Sequence, residues 1–373
     1  MLRVVHGPMN FGNQAWVLSR QERALGVDSR VVVNVAPPNG YAADRVLGGD
    51  RRSPLGLLRR LAFGLSAPWQ FDVLHYYYGR SYIAFDGLDA LESLRFADLK
   101  LARRLGRKVF MTLQGCDVRL AGRGDARYEI TACRTGQCSQ FAHCRDVVDQ
   151  RRRNLIEHIL PQCDRVFALN PEFCQYVPGA TFLPYASIDV QAVRPVPPRL
   201  EGPIRIVHAP TDPSIKGTAI VQAAIKRLQS KYPIEFTLVQ GLSHADAWQV
   251  YRSADLVIDQ LLLGWYGGLA LEAMALGKPV VSYVRESDLG FLPAAMREEL
   301  PVQNVTPQTL VDRLEEIFDQ RQQWGMWSQR ARQYALRWHD PRVIAQQMVA
   351  AYRDPASRFE LQPAERGALT CAA

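Results

Sequence analysis

Short runs rich in Val, Ile, Leu and aromatic residues alternate with longer helical stretches along almost the whole chain, and this alternation limits the fold more than any other feature. In the first half the runs are LRVVHG (2–7), SRVVVNV (29–35), DVLHYYY (72–78), KVFMTLQG (108–115) and RVFALN (165–170). Helical patterns near 14–25, 88–105 and 149–161 lie between them, which is the rhythm of βα units in a parallel sheet. One doubly wound α/β domain follows.

The rhythm breaks at FLPYASIDVQAVRPVPPRLEGP (182–203), which is dense in Pro and has no helical periodicity. Segments of this kind mark linkers, so the boundary is expected near residue 197. Beyond it come strands IRIVHA (204–209), EFTLVQG (235–241), DLVID (255–259) and PVVSYV (279–284), with helices near 217–231, 244–253, 267–276 and from 307 to 354. The expected division is 1–196, 197–345 and a helix end with a frayed tail at 346–373, two domains being also what 373 residues favour.

Composition excludes several classes. With 47% hydrophobic and 22% charged residues the chain is globular, and no apolar run approaches the roughly 18–20 residues of a membrane-spanning helix. The start, MLRVVHGPMN, lacks the charged and apolar regions of a secretory signal, so a cytoplasmic location is expected. Cys371 stands third from the end, where a prenylation box needs its Cys fourth.

The formal charge of +8 suggests an anionic partner, although the Arg runs at 59–60, 103–104 and 151–153 also fit a solvated surface. Contact with an acidic membrane surface at the inner face stays open, because PLGLLRRLAFGLSAPWQF (54–71) interleaves Leu, Phe and Trp with Arg59 and Arg60; a core-packing helix is the competing reading. No nucleic-acid-binding signature is found.

The chemistry concentrates in HAPTDPSIKGT (208–218) and ADLVIDQLLLGWYGGLALEAMALGKPVVSY (254–283). Each reads as a strand, a Gly-bearing loop and a helix start, where free backbone N–H groups and the helix dipole favour a phosphate. Lys216 would sit unfavourably at a helix start unless an anion accompanied it. Glu272, between Leu271 and Ala273, is expected to be partly buried and to need a partner.

The order of KG, a strand ending in VQG, the YRSAD step and GWYGGLALEAMALGKPVV resembles the donor-binding domain of retaining GT-B glycosyltransferases, in particular glycosyltransferase family 4, best over 204–284. The first half is similar more weakly, through its N-terminal loop and LQGCDVR (113–119), where Gln114 stands in place of the family's usual His. The resemblance implies a GT-B fold, two Rossmann-like domains facing a cleft. It implies transfer of a sugar from a nucleoside diphosphate sugar, UDP- or GDP-linked, to a small-molecule, glycan or lipid-linked acceptor hydroxyl with the anomeric configuration retained. No metal or other cofactor is required.

Residue by residue, the resemblance implies that Lys216 neutralises the donor diphosphate, that Gly217, Thr218, Gly267, Gly268 and Leu269 offer backbone amides, and that Glu272 holds the ribose hydroxyls. Thr211, Leu242 after the VQG strand, and Gly12 and Asn13 in the first loop complete the donor set. Lys216, Asp259 and Asp117 are the catalytic candidates; a mutual salt bridge between Asp117 and Arg119 is the structural alternative.

Three positions depart from the family. The first Glu of its Glu-x7-Glu pattern falls at Gly264, leaving Asp259 or Gln260 as substitutes. The usual Arg falls at Thr211, and the His at Gln114. A catalytically silent sugar-nucleotide binding or scaffold protein and a GT-B-fold nucleotide-sugar epimerase therefore remain alternatives. Cys133, Cys138 and Cys144, with Cys163 as a fourth candidate, leave open a metal site against reduced thiols.

Overall fold

The computed structural model describes residues 1–37, 40–48, 53–83 and 94–365. The front of the helix expected at 88–105, Cys371 and the end of the tail lie outside them. Two compact units emerge. The first holds residues 1–119, 150–189 and 341–362; the second holds 120–149, 190–340 and the chain end from 363.

The first unit is built on strands β1 (Arg3–Gly7), β2 (Asp28–Val33), β3 (Arg45–Val46), β4 (Val73–Tyr77), β5 (Lys108–Leu113), β6 (Arg165–Ala168) and β7 (Thr181–Phe182). They form one parallel sheet in the order β3-β2-β1-β4-β5-β6-β7, with Val5 of β1 opposite Arg30 on one side and Leu74 on the other. Inner strands are apolar because both faces are covered. Val4, Val73, Phe110 and Phe167 pack against Leu18 of helix Gln14–Ala24, each large side chain contributing about 1.5–3 kcal/mol.

The same core takes in Ile344, Ala345, Met348, Val349 and Tyr352. Their spacing is the apolar stripe of helix Pro341–Arg353, which therefore belongs to the first unit. His75 bridges Tyr352 Oη (Nδ1, 2.6 Å) and Thr112 Oγ1 (Nε2, 2.7 Å), and burial holds its pKa well below the ordinary value. The chain thus returns to its starting unit after Asp340. The sequence expectation kept 197–345 together, because periodicity reveals that a helix has an apolar stripe but not which sheet receives it.

Helix Pro54–Gln70 is capped by Ser53, whose hydroxyl accepts from Gly56 N at 3.4 Å. Its inner face carries Gly56, Arg60, Phe63, Gly64 and Ala67. Its outer face leaves Leu55, Leu58, Leu65 and Trp69 exposed by 56, 62, 42 and 57%. Arg60 and Arg152 are buried, so those two Arg runs are not simply solvated surface.

The second unit has strands β8 (Ile204–His208), β9 (Ile234–Leu238), β10 (Leu256–Ile258), β11 (Val280–Ser282) and β12 (Gln303–Asn304), parallel in the order β12-β11-β10-β8-β9. Ile206, Leu256, Ile258 and Val281 from the sheet meet Val221, Ile225 and Leu228 of helix Thr218–Leu228 and Leu314 and Ile317 of helix Leu310–Asp319. Residues 120–149, expected with the first half, join this unit: Ala132 packs on Leu262 and Leu263, and its N–H donates to the Leu262 carbonyl at 3.0 Å.

Candidate functional site

In the second unit the chemistry gathers at the carboxyl edge of the sheet, in the loops that follow β8 and β10. After β8, Asp212 accepts from Ser214 N (3.0 Å) and Ile215 N (3.3 Å), starting the one-turn helix Pro213–Lys216. Gly217 ends that turn at φ +80° and opens helix Thr218–Leu228. A side chain there would be strained, and its Cβ would lie 3.2 Å from Leu261 Cβ. The KG step is therefore a hinge between two helices, with Lys216 closing the first.

Loop 259–267 is sewn to it. Leu261 N donates to the Lys216 carbonyl at 3.1 Å, and the Lys216 ammonium contacts Gln260 Oε1. Gln260 Nε2 donates to the Trp265 carbonyl, which fixes the amide with its oxygen toward Lys216. Asp259 accepts from Gly267 N at 2.5 Å. A Cβ on Gly267 would stand 3.2 Å from Lys216 Nζ and 3.4 and 3.5 Å from the Asp259 oxygens, so glycine lets ammonium and carboxylate converge on the start of helix Gly268–Ala275. Beside Gly268 the space is open.

Glu272, in the second turn of that helix, is buried, and its Oε1 pairs with His244 Nε2 at 2.7 Å. That hydrogen bond raises the His244 pKa, and Trp248 lies beside the imidazole at 5.9 Å between ring centroids. His208, at the end of β8, donates from Nδ1 to the Ile258 carbonyl (2.8 Å) if neutral, leaving Nε2 to accept from Thr218 Oγ1 (2.9 Å). Burial lowers its pKa, with Lys216 acting in the same sense, so the neutral form fits. Thr218 consequently spends its hydroxyl on the scaffold. Thr211 and Leu242 are exposed, and Leu269 is half-buried.

Gly264 explains the missing carboxylate. It has φ +70°, and a Cβ there would fall 2.8 Å from Cζ and Nη1 of Arg285. The buried Arg285 pairs with Asp288 (Nη1 to Oδ2, 2.9 Å), donates to the Ile130 carbonyl (3.0 Å) and stacks 3.7 Å over the Tyr128 ring. A guanidinium occupies the room that a side chain at 264 would need. The suggested substitutes, Asp259 and Gln260, are held by Gly267 N and by Lys216 with Trp265.

In the first unit the loop after β1 carries Gly12 and Asn13, both at φ +63°; Gly12 is exposed and Asn13 Nδ2 donates to the Ser187 carbonyl at 3.1 Å. Phe11 packs edge-on against Tyr78 (5.1 Å), and Tyr78 lines Gly115, linking the loops after β1, β4 and β5. Asp117 accepts from Gln114 N (2.9 Å) and Gly115 N (3.0 Å). Burial outweighs these donors and pushes its carboxyl up to about 6. The alternative of a mutual Asp117–Arg119 bridge is not realised: Arg119 pairs with buried Glu172 at 2.9 Å and lies over the Phe173 ring.

Among the described residues no three His, Cys, Asp or Glu side chains gather as metal ligands, and no disulfide joins Cys133, Cys138, Cys144 or Cys163. Sequence reasoning missed His244, Arg285 and Tyr128, since each reaches its partner only through tertiary contact.

No family model matches the chain, and no curated protein matches it in sequence. Solved structures match its fold. Sucrose-phosphate synthase from Thermosynechococcus elongatus aligns with TM-score 0.60 at 15% identity, covering 95% of this chain and 98% of the other. The catalytic domain of starch synthase IV from Arabidopsis thaliana, bound to ADP and acarbose, aligns with TM-score 0.61 at 12% identity over 96% and 100%. UDP-GlcNAc 2-epimerase from Neisseria meningitidis, bound to UDP-GlcNAc, aligns with TM-score 0.53 at 11% identity over 94% and 99%. The chain has the GT-B fold of glycosyltransferases, two Rossmann-like α/β domains.

Proposed function

We propose that the protein transfers a glycosyl unit from a nucleoside diphosphate sugar to an acceptor hydroxyl, with the anomeric configuration retained. One observation carries this reading: two neighbouring βα loops bring the Lys216 ammonium and the start of helix Gly268–Ala275 together, with Glu272 one turn further along the same helix. An ammonium and helix-start amides suit a diphosphate, and a buried carboxylate suits ribose hydroxyls. Two of the similar structures are bound to ADP and to UDP-GlcNAc, which accords with such a ligand.

As the glycosidic bond opens, positive charge spreads over the sugar ring and negative charge grows on the departing diphosphate. Lys216, oriented by Gln260, would meet that growing charge without reorganising. Gly217 and Gly267 keep the backbone close to it. Asp259 orients the Gly267 amide, and Asp117 is the acid–base candidate of the first unit.

A nucleoside diphosphate at 100 times its Kd should stabilise the protein by about 2.7 kcal/mol. In a thermal-shift panel of UDP, GDP, ADP, CDP and TDP, at least one is expected to raise Tm, with the shift lost in Lys216→Ala and reduced in Glu272→Ala. A flat panel overturns the donor site. Binding without turnover of the matching sugar nucleotide would favour a catalytically silent protein, the reading that Gly264 and Arg285 motivate.

Delivery of the acceptor at an acidic lipid surface is the variant that helix Pro54–Gln70 favours. Leu55, Leu58, Ala62, Leu65 and Trp69 recur at alternating steps of three and four along its outer face, and the helix contains no carboxylate. No helix among the described residues is long and apolar enough to cross a membrane.

A further inference from the structure

The second unit contains a cavity of about 560 Å³ that the donor reading does not use. Its lining includes residues 298–302, which lead into β12, whereas the loops bearing Lys216 and Asp259 follow β8 and β10. All strands of this sheet run parallel. Residues entering a strand and residues leaving one lie at opposite edges of such a sheet, so residues 298–302 lie toward the edge away from the donor loops, while Tyr334 on the other wall reaches the loop after β10, its hydroxyl 3.2 Å from Tyr266 Oη. The cavity's volume falls within the range of about 300–1,000 Å³ usual for small-molecule sites.

Helix Trp324–Trp338 supplies one wall. Trp327, Arg330, Tyr334 and Arg337 follow at steps of three, four and three residues, which puts them on one helix face. Opposite them stand Glu298 and Glu299. The two carboxylates balance the two guanidiniums, so the cavity does not select for net charge in its ligand. Glu299 is already committed, accepting from Trp338 Nε1 at 2.8 Å and pairing with Arg337 at 3.2 Å.

Arg330, Glu298 and the neighbouring Gln333 have no side-chain partner among the described residues. A guanidinium fork, a carboxamide and a carboxylate thus remain as hydrogen-bonding groups, next to apolar wall from Trp327, Pro301 and Val302. Adjacent hydroxyls present donors and acceptors side by side, and the C–H face of a sugar ring is apolar. We propose that this cavity binds a neutral oligosaccharide, holding a glycan at a site that shares no lining residue with the donor loops. Tethering there would raise the local concentration of a glycan acceptor and increase avidity.

The test is titration of the full-length protein with maltotetraose, cellotetraose and chitotetraose, followed by calorimetry and by saturation-transfer NMR. At least one should bind saturably in the millimolar range or tighter, and Arg330→Ala combined with Gln333→Ala should weaken it by about tenfold or more. Both side chains are exposed, so the variant is expected to fold, and an unchanged Tm checks this. Lys216→Ala should leave oligosaccharide binding intact and abolish the nucleoside diphosphate shift, which separates failure of this site from failure of the donor site. Absence of saturable binding by all three sugars, or binding that survives the double substitution, overturns the proposal.

Discussion

Replacing Asp117 by Asn isolates the effect of burying one carboxyl group. The side chain is buried and held between the amides of Gln114 and Gly115, yet its carboxyl rises from the ordinary 3.8 to about 6. A rise of about two units corresponds to about 3 kcal/mol, since each unit is about 1.4 kcal/mol. The sign follows from proton counting. Between pH 4 and 6 the folded chain keeps the proton that the unfolded chain has released, so stability falls as pH rises through this window. Below pH 4 both states are protonated, and above about pH 7 both are ionised.

Asn cannot ionise. Its loss of one amide hydrogen bond adds a penalty of about 1–3 kcal/mol that does not vary with pH. The stability of the native protein minus that of Asp117→Asn should therefore be level below pH 4, fall by about 3 kcal/mol between pH 4 and 7, and level off again. Urea unfolding at fixed pH, followed by tryptophan fluorescence, measures this directly. A difference that is constant across the window, or that grows with pH, would refute the balance of burial over amide donation. If Asp117 also acts as a base, the acid limb of kcat should have its midpoint near the same value of about 6.

Two further substitutions probe other parts of the molecule. Gly264→Ala must hold a Cβ at φ +70° and displace the Arg285 guanidinium from Asp288, at about 1–2 kcal/mol for the backbone and up to about 3 more for the buried pair. Urea midpoints should show that cost shrinking to the backbone part in an Arg285→Ala background. Leu58→Glu with Leu65→Glu should leave Tm nearly unchanged and, if the outer face of helix Pro54–Gln70 meets lipid, abolish cosedimentation with phosphatidylglycerol vesicles; equal sedimentation of both proteins would discard that contact.

The parallel sheets were legible because buried strands need consecutive apolar residues. Val31, Val32 and Val33, or Val280 and Val281, announce themselves without knowledge of their partners. The Gly217 hinge was legible in part, since KG after a strand and before an apolar helix marks a turn. What the helix packs against was not: nothing in PRVIAQQMVAAYR says that Tyr352 will reach His75 across the first sheet. His244 was likewise opaque, because its pairing with Glu272 depends on two helices meeting at a distance of 28 residues in sequence. Gly264 read as the absence of a carboxylate. Only coordinates reveal a guanidinium in its place.

The return of helix Pro341–Arg353 to the first unit bears on how such a chain can be cut and recombined. A fragment ending at the Pro-rich linker would expose Val4, Phe110 and Phe167 to water, while the remaining fragment would drag along a helix with no sheet to cover. Grafting a donor half from another protein of this architecture would have to retain the host's own residues 341–362 and join the guest at each crossing, near 119, 149, 189 and 340. The C-terminal segment is, in this sense, the last piece of the N-terminal fold.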